Sequence, residues 1–345
     1  MKYITLLFAI LTILSLQSCF QTNKKISSYK DTTQFESLAK SLYIDFDTSM
    51  QTKRYQNKIN TQNERLFSFL KYRYEKNSFN KITPKQICKI PKVFHYIWLG
   101  KKLPQEYIPF LETWLKYHPD WTFVFWVDNP ENYNLGKLCE NYTFDDVKKQ
   151  LLTHKSKSEN IVVDVKNLTF DNKKFFDATR NYGQRSDILK WEVVYRFGGV
   201  YIDVDFECTK PLDMLNYMYD FYTGIQPLDT SFIQLGAALF AARPGHPILK
   251  QCVETIKDDW HNTQIIISTG PLHFTKCFYE AANQQGLIDV ALPASYFYPC
   301  GYDEQKLPRK NWMRSESFGV HHWAGSWLKP EGWAKKENHE AQNFS

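Results

Sequence analysis

The chain has 345 residues, 43 basic and 37 acidic side chains, and an aromatic fraction of 16%. At 43% apolar and 23% charged it has a globular composition, which excludes disorder, collagen and coiled coil and leaves room for one large domain or two modest ones. From Phe20 to Ile90, 14 Lys/Arg face 6 Asp/Glu, so the body after Pro91 is slightly acidic, and that argues against nucleic acid as a partner.

Residues 1–19 hold one Lys before a 16-residue, mostly apolar run from Tyr3 to Ser18, followed by Cys19. The run has signal-peptide length and is short for a membrane span. Leu16-Gln17-Ser18-Cys19 is similar to the bacterial lipoprotein processing box, which predicts an exported, membrane-associated lipoprotein. An uncleaved signal anchor of a secretory-pathway enzyme is the alternative. The other six Cys are scattered without C-x-x-C spacing, which argues against zinc and favours buried free thiols over disulfides.

Residues 20–87 are polar and basic, with Phe35, Leu38, Leu42 and Leu66, Phe69, Leu70 at helical spacing, and read as a helical leader or spacer. Residues 88–330 read as the main domain and 331–345 as a polar tail. Val93 to Leu99 is a near-continuous apolar run closed by Gly100, the pattern of a strand buried on both faces. Pro104 opens a helical pattern carrying Ile108, Leu111, Trp114 and Leu115, and Trp121 to Val127 forms a second strand. This β–α–β order predicts a right-handed parallel unit, hence an α/β fold. Asn129 to Asn181 reads as a polar excursion over the ligand-binding edge. A helix from about Ala178 to Phe197, the Gly198-Gly199 turn and a strand from Val200 to Asp205 follow. Then come Phe232 to Ala242, a helix near His246–Asp259, and a turn at Ser268–Pro271.

Strand alternation over 200–205 places Val200, Ile202 and Val204 on one face and Tyr201, Asp203 and Asp205 on the other, at the carboxyl end where open α/β sheets bind ligands. Two carboxylates about 4 Å apart repel by about 4 kcal/mol at an effective dielectric of 20, so the pair must hold a proton or a cation. Oxygen ligation suits Mg²⁺ or Mn²⁺ with room for phosphate oxygens. Tyr43-Ile44-Asp45-Phe46-Asp47 nearly duplicates Tyr201–Asp205 but lacks the Gly-Gly turn and preceding helix, and reads as a surface coincidence. Its Asp-x-Asp-x-Thr form would suit a haloacid-dehalogenase-like phosphatase only if a buried strand preceded it, and Ala39 to Ile44 is half polar. His95 reads as a satisfied buried histidine.

Ile90–Gly100, Ser186–Lys190 and Gly198–Asp205 together resemble the DXD-containing sugar transferases of glycosyltransferase family 32, which include yeast-type initiating mannosyltransferases. The catalytic domains of large glucosylating bacterial toxins are more distantly similar. Gly245-His-Pro247, Thr269-Gly-Pro271 and His321–Trp327 extend the match in order. The resemblance implies a GT-A-like, Rossmann-type mixed and mainly parallel sheet with flanking helices. It also implies a nucleotide-sugar donor (a GDP- or UDP-hexose), a divalent metal, and retention of anomeric configuration. Trp98 matches the residue stacking on the donor base, Asp187 the carboxylate contacting sugar or ribose hydroxyls, Tyr201 and Asp203 the donor-contacting pair, and Asp205 the metal ligand. Lys190 stands where the family usually has Arg, which loses a bidentate fork to phosphate or sugar oxygens.

In the tail, His321 or His322 is a candidate to complete the metal site, with His322 carried forward beside Asp203 and Asp205. Ser326 and Trp327 are candidates to close over the diphosphate. The acceptor is left open among glycan, glycolipid and protein hydroxyls, with the membrane reached through the N-terminal segment. The competing reading is a non-catalytic, lipid-anchored carbohydrate-binding surface protein.

Overall fold

The computed structural model describes residues 32–50, 64–83, 85, 87–132, 137–139, 144–145, 147, 160–228, 233–329, 332 and 334. The expectations for residues 1–19 and for most of the polar tail lie outside these. Among the described residues, no helix is long and apolar enough to cross a membrane.

Among the described residues, eight strands form one mixed sheet: β1 (Val93–Trp98), β2 (Thr122–Val127), β3 (Lys137–Cys139), β4 (Ile161–Asp164), β5 (Gly199–Ile202), β7 (Phe221–Ile225), β8 (Leu235–Ala242) and β9 (Asp289–Leu292). Their order is β3-β4-β2-β1-β5-β8-β7-β9. Only β8 runs antiparallel to its neighbours β5 and β7. β6 (Phe206–Cys208) and β10 (Gly319–His321) pair separately as an antiparallel ribbon. This is the mixed, mainly parallel α/β sheet expected.

Both faces are covered, which is why the central strands read as unbroken apolar runs. On β1, Phe94 packs on Trp114 of the Ile108–Tyr117 helix, with ring centres 5.3 Å apart. The adjacent His95 instead faces Phe197 at 6.1 Å, at the end of the Tyr182–Phe197 helix. Successive strand residues point to opposite faces, so the two helices lie on opposite sides of the sheet.

The polar stretch 129–181 is more than an excursion: it supplies β3 and β4, which extend the parallel sheet beyond β2. The apolar run Ile161-Val162-Val163 is short enough to be concealed by its polar flanks. Helical structure in the leader is observed over Thr32–Leu42, Phe46–Met50 and Glu64–Asn77. These helices join the main core. Leu42, Phe46, Leu70 and Tyr74 are buried in it, and Tyr296 Oη donates to Leu42 O at 2.7 Å. The last helix reaches the sheet edge, where Asn77 Nδ2 donates to Asp289 O at 2.8 Å.

The duplicate motif near the N-terminus is not wholly on the surface as expected: Asp45 is exposed and Asp47 half-buried, but Phe46 is buried in the core against Phe67 and Tyr74. Asp45 caps a short helix by accepting from Thr48 N–H at 2.9 Å, and Asp47 pairs with Lys71. His95 is fully buried between Gly198 O (2.9 Å) and Trp126 Nε1 (3.2 Å). Cys88, Cys208, Cys252, Cys277 and Cys300 are free thiols.

Candidate functional site

The site grows from the turn between the Tyr182–Phe197 helix and β5. Asn181 starts that helix by accepting from Gln184 N–H, and Gly198 ends it at φ 64°. Gly199 follows at φ 99°, where a Cβ would stand 2.6 Å from Val93 O. No side chain fits that left-handed approach to β1 without strain. The double glycine therefore lets the chain reverse and lie directly beside β1, with Phe94 opposite Val200.

The strand expected to run to Asp205 ends at Ile202. Phe206 N–H closes a turn onto Asp203 O at 3.1 Å, so a bend, not pleat alternation, brings the two Asp side chains together. Asp203, Asp205 and His321 each aim one ligand atom into a common space, all within 4.8 Å of one another. Tyr201, on the strand face toward the Tyr182–Phe197 helix, donates its hydroxyl to Asp203 Oδ1 at 2.6 Å and also meets Ser186 Oγ at 3.2 Å. Asp205 Oδ2 accepts Ala324 N–H at 2.8 Å, and Asp205 Oδ1 lies 3.4 Å from His321 Nε2.

Electrostatics separate the two carboxylates. Burial pushes Asp203 upward, aided by the charge on Asp205 and opposed by Lys190. Burial opposes ionisation of Asp205 as well, but His321 and the Ala324 N–H hold it below its usual range. His321 is raised in turn, because Asp205 outweighs the burial that disfavours its charged form. Its Nδ1 is buried without a hydrogen-bond partner. A largely buried cluster of two carboxylates and an imidazole, part-neutralised internally, fits a hard divalent cation.

The third member is His321 and not the expected His322. β10 pairs with β6 so that His321 stands opposite Phe206 and inside an aromatic enclosure of Phe206, Tyr298 and Trp323. His322, one residue on, points away: it meets Glu207 at 3.1 Å and stacks on Phe110. The strand β10 ends at His321, and the chain turns out of it at His322, so the two neighbours face different partners.

Asp187 lies one turn into the helix, with Oδ1 2.6 Å from Lys190 Nζ and Oδ2 accepting Thr269 Oγ1 at 3.3 Å. Burial raises Asp187, against the opposing charge of Lys190. Lys190 is itself buried, its ammonium 5.1 Å from the Tyr201 ring centre. The departure from Arg thus has a local consequence: Lys190 is committed to Asp187 as a point charge. Trp98 ends β1, beside the carboxyl end of β5; its Nε1 donates to Lys101 O at 2.7 Å and its ring packs on Tyr107. Ser326 and Trp327 form a short turn against the start of the Tyr182–Phe197 helix, where Asn181 Nδ2 donates to Trp327 O at 3.0 Å.

Asp128, not foreseen, follows β2 and holds Gly100 N–H with both oxygens, at 2.8 and 3.0 Å. It fixes the loop that leaves Trp98. Its signal was available as an Asp directly after a buried strand.

Residues 104–222 match the family model described as a glycosyltransferase sugar-binding region containing a DXD motif. That stretch contains Asp187, Asp203 and Asp205. Over about a third of its length, then, the chain is similar to DXD-type glycosyltransferases. Among curated relatives, inositol phosphoceramide mannosyltransferase 1 of Schizosaccharomyces pombe is 26% identical over 56% of this chain and 53% of its own length. Mannosyl phosphorylinositol ceramide synthase CSH1 of Saccharomyces cerevisiae is 24% identical over 64% of this chain and 52% of its own. The chain thus spans about half the length of these relatives. Of solved structures, the PaToxG glycosyltransferase covers 72% of this chain and 80% of its own at 18% identity and a TM-score of 0.42. The matched residues 104–222 supply strands β2 to β5 of the sheet and both carboxylates of the site.

Proposed function

We propose that this protein transfers a hexosyl group from a nucleoside diphosphate sugar to a hydroxyl acceptor, with retention of configuration. The observation that carries the reading is the convergence of Asp203, Asp205 and His321 within 4.8 Å beside the end of β5. Asp203 and Asp205 would hold Mn²⁺ or Mg²⁺ with His321. A bound ion of this kind neutralises charge on a departing diphosphate.

The protein's own groups do the rest. Asp187, oriented by Lys190 and Thr269, is placed to hold donor hydroxyls, and Trp98 offers a flat face for the base. Tyr201 fixes the Asp203 carboxylate. Ser326 and Trp327 would cover the diphosphate. Both oxygens of Asp187 are already engaged, which suits orientation and disfavours attack on the anomeric carbon. Front-face displacement follows: the acceptor oxygen bonds the anomeric carbon as its bond to the phosphate oxygen breaks. The acceptor proton passes to that leaving oxygen.

The relatives' names direct the acceptor search first to inositol phosphoceramide and the donor search to a mannosyl nucleotide. A glycolipid acceptor agrees with residues 1–19 placing the enzyme at a membrane, as a lipoprotein or by a signal anchor. The test is a panel of GDP- and UDP-hexoses with Mn²⁺ or Mg²⁺, read as sugar release and transfer to lipid. Metal-dependent release lost in Asp205→Asn supports the reading. Nucleotide binding without release from any donor would instead indicate a non-catalytic carbohydrate-binding protein.

A further inference from the structure

A second group of potential ligands lies in the helical layer, apart from the DXD turn. Cys252 belongs to the Pro247–Asp259 helix, and His273 and Cys277 to the Pro271–Ala281 helix. All three are buried, and one donor atom from each lies within 4.8 Å of the other two. We propose that Cys252, His273 and Cys277 form a structural site for a thiophilic divalent cation of the zinc class. The inference is independent of the transferase reading.

The geometry has the features such a site needs. His273 and Cys277 are four residues apart, hence on one face of their helix. His273 Nε2 stands 3.8 Å from Cys277 Sγ. Zinc bonds of about 2.3 Å to sulfur and 2.0–2.1 Å to nitrogen set tetrahedral donor separations of about 3.5–3.8 Å. Small side-chain movements would therefore close the group around one ion. The second ring nitrogen, Nδ1, lies 3.1 Å from Asp259 Oδ2, and Asp259 is steadied by Lys276 at 3.2 Å. A carboxylate behind a histidine is the usual way of orienting the imidazole toward a metal. In this structure Nε2 instead meets Cys252 O at 3.0 Å, so ligation requires it to exchange that carbonyl for the ion. Thr255 Oγ1, 3.7 Å from Cys277 Sγ, or a water is available for the fourth position.

Two soft sulfurs and one nitrogen select against the oxygen-preferring Mg²⁺, so the two sites would take different ions. The ion would clamp two helices whose connection carries Thr269, the residue hydrogen-bonded to Asp187. The spacing of the Cys residues alone argued against zinc; packing of two helices brings together what the linear pattern separates.

The test is metal analysis of the full-length protein followed by replacement with Co²⁺, because a sulfur-to-cobalt charge-transfer band reports thiolate ligation and carboxylate sites do not give it. The expected result is about one zinc per chain and a thiolate band that survives in Asp205→Asn and disappears in Cys277→Ser. Asp259→Asn, which keeps all three ligands, should weaken zinc binding about 10- to 100-fold and covers the case in which Cys277→Ser fails to fold. A folded protein that gives no thiolate band with Co²⁺ overturns the proposal. So does a Cys252–Cys277 disulfide in the intact protein, or zinc affinity unchanged in Asp259→Asn.

Discussion

Asp205 is held by a residue 119 positions further along the chain: its Oδ2 accepts the backbone N–H of Ala324 at 2.8 Å. Asp205 O also accepts His322 N–H at 3.0 Å, so the tail strand and the DXD turn are built as one unit. A carboxylate aimed from two sides in this way is preorganised, with little reorganisation left for the reaction.

Replacing Asp205 with Asn keeps the shape and the contact with Ala324 but removes the charge. Sugar release from the donor should fall by about 100- to 1,000-fold or more, with the melting temperature little changed. Parallel kinetics and calorimetry check this.

The neighbouring histidines should separate cleanly. His321→Ala removes the imidazole beside Asp205, and the Mn²⁺ concentration for half-maximal activity should rise about 10- to 100-fold. His322→Ala breaks only the contact with Glu207 and the stacking on Phe110, so metal dependence should stay near that of the unaltered protein. Equal effects of the two substitutions would remove His321 from the site.

Trp98→Ala tests the base-stacking role. Loss of one aromatic–base contact costs about 1–3 kcal/mol, so nucleotide affinity should fall at least fivefold by titration calorimetry. The ring is only half-buried, and stability should change much less than it would at a core Trp such as Trp191.

Gly199→Ala addresses the fold beneath the site. At φ 99° its new Cβ would press on Val93 O, and the strain should destabilise the protein by about 1–3 kcal/mol. Thermal unfolding measures it directly. An equal loss in Gly245→Ala, at φ 71° where a Cβ meets no atom within 4 Å, would show that φ and not the contact with Val93 sets the cost.

Glu192 makes stability pH-dependent. Burial pushes it up to about 7 from the ordinary value of 4.5, despite N–H groups of Asn172 and Asp171 donating to it. Because its folded value lies above the unfolded one, its favourable contribution is complete below about 4.5 and is lost as pH rises through about 7. Glu192→Gln does not titrate, so the stability difference between the two proteins should shift by about 3 kcal/mol in the variant's favour across that window. Chemical denaturation at a series of pH values reads the difference, and a flat difference contradicts the assignment.

How much was legible in the sequence differed by element. β1, β2 and the Gly-Gly turn were plain because burial on both faces leaves continuous apolar runs, and left-handed turns demand glycine. β4 was missed because Ile161 to Val163 is only a few residues long within polar surroundings. Strand alternation was extended three residues too far, past Ile202 to Asp205, since a bend within a polar Asp-x-Asp leaves no mark in hydropathy.

The sequence by itself determined the α/β class, the glycine turn and the pair of aspartates, all consequences of local sterics and of burial periodicity. Only the tertiary structure decided that His321 rather than His322 faces Asp205, that Lys190 is spent on Asp187, and that two distant helices bring Cys252 to His273 and Cys277. Those outcomes depend on register and packing between segments far apart in the chain, and linear spacing carries no record of which faces will meet.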